Sequence, residues 1–132
     1  MAVRFLSPEW LAAAADALRA AARDGAPRGD ARLTLQQVVT GGPDGEVAYR
    51  VRIGPDFVEL VPGRGEEADV VFTGDWDTAA AIGEGRLSPQ AAFLDGRVRA
   101  SGNVALVMAA QETLAAVETA LAGVRAATTY GR

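Results

Sequence analysis

The rhythm of apolar and polar positions changes several times along this chain, and each change marks an element. Ser7-Pro8-Glu9 supplies an N-cap, a first-turn proline and a first-turn acid. Behind it Leu11, Ala14, Leu18 and Ala22 recur at helical steps, predicting a helix over 8–24 that stops at Asp24-Gly25. In "ARLTLQQVVTGG" the period falls to two: Leu33, Leu35 and Val39 alternate with Thr34, Gln36 and Thr40, and Gln37 interrupts the apolar series. "GGPDG" at 41–45 is a hairpin loop. The clearest alternation follows in "EVAYRVRI", where Val47, Tyr49, Val51 and Ile53 share one face and Glu46, Arg50 and Arg52 the other. One side of this sheet is therefore expected to be wet and the other buried, as in an antiparallel sheet covered on one face. Gly54-Pro55-Asp56 turns into a third strand, "FVELV", ended by Pro62-Gly63. The polar loop "GRGEE" precedes a fourth, "ADVVFTG".

Helical spacing then returns. Asp75 or Asp77 caps a short helix, "TAAAIGEG"; Ser88-Pro89 opens "QAAFL", closed by Asp95-Gly96; and "RVRAS" reads as a fifth strand. The last stretch, "NVALVMAAQETLAAVETALAGV", sets Val104, Val107, Met108, Gln111, Leu114, Val117, Leu121 and Val124 at steps of three and four. That predicts one amphipathic helix of about six turns, ending near residue 127. The order helix, four strands, two short helices, strand, long helix is α+β, packed most economically as a hairpin-rich sheet with helices on one face. At 132 residues the chain is expected to form a single domain, 1–132, whose core needs neither disulfide nor structural metal.

Composition narrows the chemistry. The chain has no cysteine, so thiolate metal sites and disulfides are excluded. No stretch approaches the roughly 18 apolar residues of a membrane span, and "MAVRFLSPEW" lacks the apolar core of a signal peptide, so a cytoplasmic location is expected. Net charge is −4 and every basic residue is an arginine, scattered along the chain, which argues against nucleic acid or an anionic membrane surface as the main partner. Histidine, the commonest proton shuttle near neutral pH, is absent.

Individual candidates read mostly as structure. Asp75 and Asp77 lack a third ligand and serve better as helix caps than as a metal pair. The glycine loops carry no G-K-[ST] and do not open helices, so they are turns and not phosphate cradles. Ser7, Ser88 and Ser101 have no histidine or lysine to activate them. Arg97 and Arg99 alternate with Val98 and Ala100 and so face solvent, where they can also meet an anionic headgroup. Gln111 sits inside the apolar stripe of the last helix, where an unpaired amide costs about 1–3 kcal/mol. It either meets a backbone partner or faces a cavity holding water or a ligand's polar group.

"ADVVFTG" followed by "GRLSPQAAFLDGRVRASGNVALVMAAQ" resembles the core signature of the sterol carrier protein type 2 family, in a bacterial single-domain form. Gly85, Arg86, Pro89, Gln90, Ala92, Phe93, Gly96, Arg97, Gly102, Asn103, Met108 and Gln111 carry the match, with arginine where the family often has lysine. The resemblance covers about residues 68–111. It implies a five-stranded, mainly antiparallel sheet, helices over one face, and a hydrophobic tunnel between them for a sterol, fatty acid, fatty acyl-CoA or phospholipid. It also implies no cofactor and no reaction. The partners to expect are the lipid itself, transient contact with a membrane or a lipid-metabolising enzyme, and at most a weak homodimer.

The lining expected of that tunnel is Tyr49, Val51, Phe57, Phe72, Trp76, Ile82, Phe93, Leu94, Leu106, Met108, Leu114, Val117 and Leu121, with Gln111 as a polar contact. Two departures stand out. Ala79, Ala80, Ala81 and Gly83 replace bulky aliphatics common in the family, so that space must be filled by Trp76, by the C-terminal segment or by ligand. The chain also runs on to "TTYGR", without a peroxisomal address, as an extension able to cover the tunnel mouth. The rival readings are a cyclase- or isomerase-like enzyme on the same scaffold, with Tyr49, Asp75 or Glu84 as acid or base, and a module docking onto a thiolase-like enzyme.

Overall fold

The computed structural model describes residues 2–24, 32–55, 57–65 and 67–130. Gly25, Asp56 and Glu66, on which parts of the expected turns fall, and the last two residues of "TTYGR" lie outside these. A short strand β1 (Val3–Arg4) leads into helix α1 (Pro8–Arg23), whose first turn forms for the reason its sequence suggests: Ser7 Oγ accepts from the Trp10 N–H at 3.1 Å, with Pro8 behind it. Trp10, Leu11, Ala14, Ala15 and Leu18 make its buried stripe.

The sheet contains β2 (Leu33–Gly42), β3 (Gly45–Ile53), β4 (Val58–Pro62), β5 (Val70–Asp75) and β6 (Val98–Gly102), in the spatial order β4-β3-β2-β5-β6. It is mixed: β2 and β5 run parallel while the other three pairings are antiparallel. The parallel pair arises because the chain leaves edge strand β4 and crosses back to lie beside β2. Asp69 fastens that crossing, its carboxylate accepting from the Thr34 N–H at 2.8 Å and its own N–H donating to the Thr34 carbonyl at 2.9 Å.

Alternation and register bring Leu33, Leu35, Val39, Val51, Ile53, Val58, Leu60 and Val70 onto one face, where they join the stripe of α1 in the core. The other face is less wet than its pattern predicts. Gln36 and Val38 are buried there, and the Gln36 side-chain oxygen accepts from the Gly65 N–H at 2.9 Å. The crossing loop thus lies against this face, and Arg50, expected in solvent, is half-buried with its Nε enclosed and unpartnered.

Helices α2 (Trp76–Gly83) and α3 (Pro89–Leu94) link β5 to β6. Asp75 caps α2, accepting from the Thr78 N–H at 2.8 Å, and Ser88 caps α3, accepting from the Ala91 N–H at 3.0 Å. The single long helix expected after Asn103 is instead three: α4 (Val104–Ala109), α5 (Gln111–Ala120) and α6 (Ala122–Ala126). The backbone leaves the helical region at Ala110 (φ −103°, ψ 19°) and tightens at Leu121 (φ −87°, ψ −3°), both buried in the core. An unbroken rod of that length would span about 35 Å, roughly twice a typical strand, and would carry its apolar stripe past the sheet. The irregular residues Ala110 and Leu121 divide that length into three shorter helices. A two-stranded parallel pairing of β1 with β7 (Thr128–Thr129) then ties the two ends of the fold together, and Trp10 Nε1 donates to Thr128 Oγ1 at 3.1 Å.

Candidate functional site

The helix-covered face of the sheet is closed around its edge and looser at its centre. Val51, Trp76, Val117 and Leu121 are buried members of the core, while Tyr49, Phe72, Leu106 and Leu114 pack against that core and stay only half-buried. These eight expected lining residues are brought together. Register also puts Gln37 on this face, directly between Tyr49 of β3 and Phe72 of β5. Gln37 is half-buried, the one amide along an otherwise apolar strand face. The sequence signal for it was the interruption in the alternation of β2, which marks a polar group inside and not an irregular strand.

The remaining candidates lie apart from this cluster. Leu94 is 82% exposed and Met108 69%, Phe93 is exposed on the same short helix as Leu94, and Ile82 is half-buried outside the core cluster. Phe57 folds over Gly54 with the Arg52 guanidinium 6.0 Å from its ring centre, an aromatic–cation contact at the molecular surface. Gln111 is exposed and resolves its alternatives locally, Nε2 donating to the Val107 carbonyl at 2.8 Å. There it shares the Val107 carbonyl with the Ala110 N–H, 3.2 Å away, at the break between α4 and α5.

Tyr49 has the most altered electrostatics in the site. Burial pushes its phenol up to about 12; Glu118 adds to the rise and Arg125 opposes it. Glu118 and Arg125 form an ion pair between α5 and α6, so a charged clasp from the helical layer stands near the neutral phenol of the sheet. Tyr49 also meets the ring of Trp10, centroid to centroid 6.2 Å.

An aromatic cluster closes the end of the core beside α2. Phe5 lies 5.3 Å from Trp10, 5.2 Å from Trp76 and 4.9 Å from Tyr130, ring centre to ring centre. The Tyr130 ring occupies the space a side chain at Gly83 would need, its Cε1 only 2.6 Å from where a Cβ would stand. Tyr130 therefore fills the space that Gly83 leaves, while Ala80 and Ala81 border open space beside it. The Tyr130 hydroxyl is buried without a hydrogen bond, and burial holds its phenol above the ordinary value.

Two surface clefts flank the core. One, about 410 Å³, opens over α2: Trp76, Ala80, Ala81 and Tyr130 form its floor, and Asp77, Glu84, Arg86, Leu87 and Arg97 its walls. The other, about 460 Å³, lies between the C-terminal half of α1 and the start of β4, against Phe57 and Val58. Among the described residues no group of His, Cys, Asp or Glu is placed to hold a metal ion, and no helix is long and apolar enough to cross a membrane.

A five-stranded mixed sheet with one apolar face under helices and half-buried aromatics on that face defines the class as an α+β domain of one sheet layer under one helical layer. The chain belongs to the SCP-2 sterol transfer family, whose model matches residues 34–115. Among solved structures it is similar to a crystal structure of sterol carrier protein 2, 25% identical, with 89% of this chain and 97% of that one covered and a TM-score of 0.64. A conserved hypothetical protein from Thermus thermophilus shares the fold at 24% identity, covering 99% of this chain and 97% of its own, with a TM-score of 0.65. So does palmitated SCP2L2 from Aedes aegypti, at 17% identity, 86% and 94% coverage and a TM-score of 0.60. None of the curated proteins matches the chain.

Proposed function

We propose that the whole chain acts as one cytoplasmic lipid-carrier domain. It holds one sterol, fatty acid, fatty acyl-CoA or phospholipid between the inner sheet face and helices α4–α6 and passes it on unchanged. The observation that carries this reading is the half-buried centre of the inner face. Tyr49, Phe72, Leu106 and Leu114 stay partly exposed although they abut a closed core. Interiors pack closely, and large side chains left half-covered against a core mark a surface that something else covers. Enclosing about 400 Å² of alkyl chain there would gain on the order of 10 kcal/mol before ordering costs, enough for firm but reversible binding. The breaks at Ala110 and Leu121 divide the helical cover into short pieces that can part to form the tunnel and admit the ligand.

Chemistry at the site supports carriage over conversion. A phenol pushed up to about 12 stays protonated across the physiological range and makes a poor base, and Asp75 is engaged as the cap of α2. Palmitated SCP2L2 shares this fold, which fits an acyl chain as cargo.

The test is displacement of a fluorescent fatty acid. Leu114→Trp, which thickens the lining, should weaken binding about tenfold or more while the circular dichroism spectrum is kept, and Leu94→Ser, far more exposed, should leave it unchanged. The reverse pattern would move the site to α3.

A further inference from the structure

The cleft over α2 joins the core to a charged rim. Trp76 and Ala80 are members of the buried core and at the same time floor this cleft. An apolar chain held there therefore lies against two members of the core. Of the two arginines in its walls, Arg86 is committed to Glu84 by contacts of 3.0 and 3.4 Å. Arg97 makes no ion pair among the described residues. Asp77 and Glu84 offset the two arginines in number, so the attraction for an anion is local to Arg97 and not a net positive field.

We infer that this cleft seats the singly anionic headgroup, a carboxylate or a phosphodiester, of an amphipathic lipid whose chain runs past Trp76 and Ala80, with Arg97 as the counter-charge. The guanidinium fork matches both headgroups, which present two oxygens to it. The small side chains at Ala80 and Ala81 matter here, since a larger aliphatic at either position would fill the floor. The inference rests on the carrier reading and adds to it a class of cargo: lipids with one negative charge at one end, in preference to neutral sterols and alcohols.

Calorimetric titration with decanoate, decanol and decyl methyl phosphodiester, which share a chain and differ in headgroup, separates the two ideas. The wild-type protein should bind both anions about tenfold more tightly than decanol, and the tighter of the two identifies the natural headgroup. Arg97→Gln should bring the anions down to the affinity of decanol while decanol itself is unchanged. Arg99→Gln, an exposed arginine outside the cleft, should keep the preference. Equal affinities in the wild type, or a preference that survives Arg97→Gln, would overturn the inference and leave the carrier reading intact. Failure of all three to bind would remove the carrier reading and the inference with it.

Discussion

Tyr49 and Tyr130 titrate in unusual isolation, because the chain has no lysine and no cysteine and these are its two tyrosines. Between about pH 9 and 12 they are the side chains that change charge. In the folded protein phenolate absorbance should be missing at the ordinary tyrosine value of about 10, with Tyr49 ionising only near 12. The sign of the stability effect follows. A phenol whose folded value lies above its unfolded one keeps its proton longer in the folded state, so its contribution is whole below about pH 10 and falls as pH rises toward 12, by about 1.4 kcal/mol per unit for Tyr49. Denaturant titrations across that range should show this slope, and Tyr49→Phe should flatten it to the part Tyr130 supplies. At the same scale, Gly83→Val forces Tyr130 out of the space it fills and should cost about 1–2 kcal/mol, with Tyr130 titrating closer to an ordinary phenol. Capping serines were legible as residues because their bonds are local. The Tyr130–Gly83 contact was not, since it joins positions far apart whose only clue is a missing side chain.

Elements were legible wherever their signal is a period. Strand alternation located the five strands of the main sheet, though not the two-residue β1 and β7, and the Ser-Pro and Asp starts located α1, α2 and α3 close to their observed limits. Alternation states which face a residue takes and says nothing of which strand lies beside it, so the parallel β2–β5 pairing had no sequence signature. It depends on Asp69 meeting Thr34, and on Gly102 making room for it. Gly102 adopts φ +102°, and a Cβ there would stand 2.2 Å from the Asp69 carbonyl oxygen, which is backbone and cannot swing aside. Gly102→Ala should therefore cost about 2–4 kcal/mol in chemical denaturation, far above an ordinary surface substitution. The division of the C-terminal helix has no sequence signature for a related reason: its stripe is continuous in sequence, and the breaks at Ala110 and Leu121 leave no mark in the spacing.

At the scale of the molecule, the family's pattern of Gly, Pro, Gln and Phe positions indicated the fold, and the family match over residues 34–115 with the sterol carrier structures agrees. The lining is where sequence reasoning reached part of the way. Tyr49, Val51 and Phe72 on strand faces and Leu114 and Val117 on α5 lie in or against the core, because alternation and helical spacing report facing directly. Phe57, read as a strand residue, falls just before β4 and is exposed. Phe93, Leu94 and Met108 face outward because a helix of six residues has too few turns to define a buried stripe. The central claim, that the inner face receives one lipid, is tested most directly by native mass spectrometry after incubation with vesicles of mixed phospholipid, fatty acid and sterol. The account predicts a stoichiometric one-to-one complex, lost in Leu114→Trp. Only unliganded protein under those conditions, from a folded sample, would contradict it.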